Sequence, residues 1–73
     1  MSERQILEVE VASHEARVAE ITAALRNLQE NLDQSADPPA LLQRQAELLR
    51  MELRGRSAAV AVGSARLRML RNE

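Results

Sequence analysis

Few side chains in this sequence have the types and spacing that reaction chemistry needs. His14 is the only histidine and there is no cysteine, so a zinc site, which is built from three or four N, S or O ligands held at fixed spacing, has no donor set here. His14 also falls on an apolar helical face, as a packing residue does. Acids are plentiful, but the pairs Glu3/Glu10 and Glu8/Glu15 are seven apart, the spacing of solvated charges along one side of a helix. Paired-carboxylate catalysis requires a cleft that desolvates one acid, and two helices do not make one. The two glycines, Gly55 and Gly63, are eight apart within a helical pattern, which fits neither a phosphate-binding loop nor a dinucleotide fingerprint. No catalytic residue, cofactor or metal is expected, and the chain is not read as an enzyme.

Charge offers a different chemistry. Residues 1–37 carry eight acids against Arg4, Arg17 and Arg26, whereas residues 38–73 carry seven arginines against Glu47, Glu52 and Glu73. The halves are complementary, and folding one on the other sets opposite charges along the seam. The seven arginines of the second half are interleaved with acids, and the chain has no aromatic residue on which a base could stack, so a nucleic-acid partner is not expected. No window approaches the ~20 apolar residues of a membrane span, and the start, Met1-Ser2-Glu3-Arg4, is not that of a signal peptide. With no cysteine to indicate secretion, a cytoplasmic protein without membrane insertion is expected.

The elements that carry these charges are helices. Seventy-three residues make at most one domain, and the apolar weight rests on 11 leucines and 12 alanines with no Phe, Tyr or Trp, a composition that favours helix over strand. Leu7, Val11, His14, Val18, Ile21, Leu25, Leu28 and Leu32 alternate in steps of four and three without a break, the heptad of a coiled-coil seam. Ser2 with Gln5 three residues later is the pattern of a capping box. The polar run from Asn31 to Ser35, and the prolines after Asp37, stop the helix. Asp37 can then cap a second helix with proline in its first turn. The heptad resumes as Leu42, Ala46, Leu49, Leu53, Arg56, Val60, Gly63, Leu67 and Leu70.

A single all-α domain over residues 1–73 follows, an antiparallel, coiled-coil-like two-helix hairpin with helices over about 3–34 and 39–71 and a turn at 35–39. Folding about residue 37 sets Leu32 against Leu42, Leu25 against Leu49 and Ile21 against Leu53. The odd pairs fall together: Val18 against Arg56, His14 against Val60 and Val11 against Gly63. The seam is expected to be weakest there, and the stretch from Gly55 to Ala65, with two glycines among valines and serines, to bend or fray.

Helix 2 carries more apolar surface than one seam uses. The residues preceding each member of the Leu42 column are Leu41, Leu48, Gly55, Val62 and Met69, none of them charged. The equivalent column of helix 1, Ile6, Ser13, Glu20 and Asn27, is mostly polar. The surplus stripe is the candidate partner-binding surface, of the size at which a monomer ordinarily has a partner. A lone hairpin also has little core of its own, so either a partner chain or dimerisation is expected to complete it.

The charged heptad helix, the Asp37-Pro38 turn, and Leu41, Leu42 and Gln45 opening an Ala/Leu-rich second helix resemble the small proteins of bacterial type III secretion systems. Leu7-Glu8, the run from Leu25 to Glu30 and the turn are most similar to the short cytoplasmic co-chaperone of the needle subunit. Where members of that family tend to carry a tyrosine just after the turn, this chain has Leu41 and Leu42. The resemblance implies a hairpin that joins a tetratricopeptide-like chaperone and helps keep the needle subunit unpolymerised before export. The same turn and leucines also resemble the C-terminal hairpin of needle and inner-rod subunits. The alternative is therefore a structural subunit, either a homodimeric four-helix bundle or a component of a helical assembly.

Overall fold

The computed structural model describes residues 1–71, and its two elements are α1, Glu3–Asp33, and α2, Ala40–Arg71. They lie antiparallel as an all-α hairpin about 56 Å long and 15 Å across. α1 begins at a complete capping box: the Gln5 amide donates to the Ser2 hydroxyl at 3.2 Å, and the Ser2 amide donates to the Gln5 side-chain carbonyl at 3.0 Å. Two amides that a helix start leaves without partners are satisfied in this way. The helix ends at Asp33, one residue short of the expected limit, where the Gln34 amide donates to the Glu30 carbonyl and the Ser35 amide to that of Leu32.

The start of α2 differs from expectation. The amides of Leu42 and Gln43 both donate to the Pro39 carbonyl, so the helix opens at Ala40, and Asp37 stands outside it instead of capping it. The Gln43 side chain donates to the Pro38 carbonyl at 3.4 Å. Two consecutive prolines bring no amides of their own to the turn, which removes donors that would otherwise need partners.

From Ala40, α2 runs unbroken through both glycines, neither of which has a positive φ. Between Gly55 and Ala65, where bending or fraying is expected from the sequence, the helix is continuous, and Gly63 there serves packing. A Cβ at that position would lie 2.5 Å from Val11 Cγ2, so the bare glycine lets the two helices approach where a valine points across the seam.

The seam follows the two heptads. Leu7, His14, Val18, Leu25, Leu28 and Leu32 of α1, and Leu42, Leu49, Leu53, Val60 and Leu70 of α2, are half-buried, while Val11, Ile21, Ala46 and Leu67 are buried. Among the described residues only Ile21 and Ala46, each 1% exposed, lose essentially all contact with solvent. Two helices enclose very little, because most seam side chains keep one flank open to water.

Candidate functional site

The middle of the seam is polar where the heptad departs from leucine. Arg17 of α1 forms a two-pronged hydrogen bond with Glu52 of α2, Nε to Oε2 and Nη2 to Oε1, each 2.9 Å. Its remaining nitrogen, Nη1, donates to Glu20 at 3.2 Å. Arg56 lies one turn beyond Glu52, 3.7 Å from it, and donates through Nη1 to Nδ1 of His14 at 3.0 Å. His14 therefore accepts on Nδ1, since a guanidinium only donates. Arg56, expected to face Val18, instead spans the seam to His14, because a long side chain follows its charged end to a partner.

The Arg17 guanidinium holds the Glu52 carboxyl below the usual carboxylate range, first through the hydrogen bond and then through its charge, with Arg56 adding to the effect and partial desolvation opposing it. Glu52, and then Glu20, in turn raise Arg17 further above its ordinary value.

This pairing runs against the overall charge of the halves. The bidentate bridge joins an arginine of the acidic half to a glutamate of the basic half. The expected polarity returns at the open end, where Arg66 reaches Glu3 at 3.2 Å. Arg50 donates to Gln29 at 3.1 Å nearer the turn.

The outer face of α2 has the opposite character. Leu41, Val62 and Met69 are each more than two-thirds exposed and Leu48 about half, and around Gly55 there is open space, with no atom within 4 Å of where a Cβ would stand. All five members of the predicted stripe thus lie together on one solvent-facing side. Sequence reasoning missed Met51, 60% exposed. The signal was available: Met51 follows Leu48 by three and precedes Gly55 by four. With Ala58 and Ala65 it makes a second column beside the first, headed by Arg44 near the turn, so from Leu48 onward the surface is a second heptad stripe.

That stripe is flanked by Arg44, Glu47, Arg54 and Arg68, all exposed and, among the described residues, without an ion-pair partner. The outer face of α1 offers Val9 and Ile6 near its start, then the exposed small side chains Ala12, Ala16, Ala19 and Ala23.

No family model, curated protein or solved structure matches the chain. Its chemistry must be read from its surfaces. Depressions among the described residues include an open one lined by Glu15, Val18, Ser57 and Val60 and another lined by Glu3, Val62, Arg66, Met69 and Leu70. Among the described residues no group of three or more metal-ligating side chains converges, and no helix is long and apolar enough to cross a membrane.

Proposed function

We propose that this chain is a binding module, a small adaptor or co-chaperone that presents the outer face of α2 to a larger protein. The reading is carried by one observation: four large apolar side chains, Leu41, Leu48, Val62 and Met69, stand exposed in a line on a helix whose other face already packs against α1. The mechanism is burial. Covering that line removes apolar area from water at roughly 25 cal/mol per Å² before the entropy of association is subtracted, and a ligand that binds only the folded hairpin stabilises it further. A hairpin with two fully buried side chains gains more from such a partner than a well-packed domain does.

The resemblance to the needle co-chaperones suggests what that partner is: a helical-repeat chaperone, with a secretion needle subunit as the protein kept unpolymerised in the cytoplasm. The test is co-expression of this chain with such a chaperone and needle subunit from the same genome. Leu48→Glu should abolish the complex while the circular dichroism spectrum of the hairpin stays largely unchanged, because Leu48 is about half exposed on the outer face of α2. A Leu48→Glu chain that still co-purifies would remove α2's outer face from the interaction.

A further inference from the structure

The first column of the outer stripe of α2 has a size pattern that reads the same in both directions. From Gly55, seven residues either way lead to Leu48 and Val62, and fourteen lead to Leu41 and Met69. Large side chains flank a central gap, and the gap is deepened by Ala58, next along the stripe. The hairpin itself gives no reason for a glycine at position 55, since a Cβ there would meet nothing and alanine would favour the helix. A bare backbone in the middle of an exposed apolar stripe permits close approach from outside.

We infer that the free protein pairs with a second copy of itself, α2 against α2, antiparallel about a two-fold axis that passes beside Gly55 and Ala58. Two-fold contacts are made by a patch that complements itself, and this one does. In the matching heptad register Gly55 faces Ala58 of the second copy at the point of closest approach, and on either side Leu48 faces Ala65 and Met51 faces Val62, a large residue against a small or medium one, before Met69 reaches Arg44 at the ends. The stripe is about 42 Å long from Leu41 to Met69 at 1.5 Å per residue, enough for four turns on either side of the crossing.

Charge selects the direction. Antiparallel pairing brings Glu47, the only acid flanking the stripe on the Arg54 and Arg68 side, against Arg68 of the second copy, twice by symmetry, and sets Arg54 beside Ala61. Parallel pairing would give Glu47 no arginine, since the position it would then face is Glu52, an acid already held by Arg17 of its own chain. Because the stripe faces away from α1, the product is a flat row of four helices with both α1 helices outermost, not a closed bundle. A partner such as that proposed above would displace the second copy from the same face, although the pairing does not depend on that reading.

Light scattering on the purified full chain over a wide concentration range tests the inference. The mass should rise from the 8.2 kDa of one chain to twice that value and stop. Gly55→Gln should hold the mass at one chain while the hairpin melts no lower, since glutamine is the better helix former and its side chain meets open space. Glu47→Arg and Arg68→Glu should each raise the dimer dissociation constant several-fold, and the double variant should restore it. The two positions are too far apart along one helix for that rescue to arise within a chain. A single-chain mass at every concentration leaves the face to a different protein and overturns the inference. So does a dimer indifferent to Gly55→Gln, a charge swap without rescue, or a mass that climbs past two chains into an open assembly. Capture of a larger chaperone through Leu48 remains measurable in each of those cases, so the two readings fail separately.

Discussion

The two faces of α2 invert the usual arrangement. The inner face, which packs on α1, contains Glu52 and Arg56 at its middle and Gly63 toward its end, whereas the outer face, which meets water, carries Leu41, Leu48, Met51, Val62 and Met69. A sequence under pressure only to stabilise a hairpin would place them the other way round. Polar groups in a seam add little net stability but restrict it to the one alignment in which they find partners, as charged and polar residues do in coiled coils. Arg17, Glu52, Arg56 and His14 make such an alignment: sliding one helix past the other by a heptad would bring Arg17 away from Glu52 and set Arg56 against Leu7 or Ile21 in place of His14. The inner face thus fixes how the helices pair, and the outer face holds the apolar area left for association.

The sharpest way to break this comparison is to remove one large side chain from each face. Ile21→Ala empties the most completely buried large position and should cost ~2–5 kcal/mol, enough to unfold so thin a hairpin near room temperature. Leu41→Ala on the outer face should change the melting temperature of the isolated hairpin very little, since Leu41 is already 68% exposed. Paired circular dichroism melts at low concentration check both, and equal losses would mean that the outer face supports the hairpin itself.

The glycines sharpen it further. Gly55→Ala should stabilise the isolated hairpin by up to ~1 kcal/mol, because helix propensity improves and nothing stands in the way. Gly63→Ala has the same propensity gain but drives its Cβ against Val11, whose β-branched side chain has little freedom to turn aside, so the gain should vanish or reverse. Val11→Ala in the Gly63→Ala background should recover part of that loss. Chemical denaturation of the three variants measures the differences, and equal gains at 55 and 63 would contradict the close approach at Val11.

The smallest effect is that of acid. The folded hairpin depresses the Glu52 pKa, so this group's contribution to stability is complete above the ordinary carboxylate value of about 4.5 and is lost as pH falls below it through the depressed value. The melting temperature of the wild type should therefore fall more steeply below about pH 4.5 than that of Glu52→Gln. The gap should narrow in high salt, because Arg17 and Glu52 are both more than a third solvent-exposed and are screened. Parallel pH profiles of the two chains would show Glu52 to be unimportant.

The architecture was legible from spacing alone. Eight residues from Leu7 to Leu32 repeat without a slip, and Ser2 and Gln5 state the start of α1, because heptads and caps are local patterns whose meaning survives without a partner. The outer stripe was legible as Leu41, Leu48, Gly55, Val62 and Met69. Met51 escaped because a column read every seven residues does not reveal the column three residues away. The polar cluster was the hardest to see. Which arginine meets which glutamate depends on the stagger of one helix against the other, and that stagger is set by a turn in which the helix begins at Ala40 and not at the prolines. Net charge even pointed the wrong way, since Arg17 and Glu52 are minority charges in their own halves.

The clasp between Glu3 and Arg66 lies at the open end of the rod, where α1 begins and α2 ends, and that placement has a mechanical consequence. Tension applied between the termini acts across the helix axes, so it loads the seam one layer at a time: Glu3 and Arg66 part first, then Val11 leaves the hollow at Gly63, then the Arg17 and Glu52 bridge opens. The same tension applied along the axes would have to shear every layer at once. A hairpin strung this way resists heat with its whole length but resists pulling with only its outermost contact, and it opens like a zip from the end that a processive unfolding machine would grip.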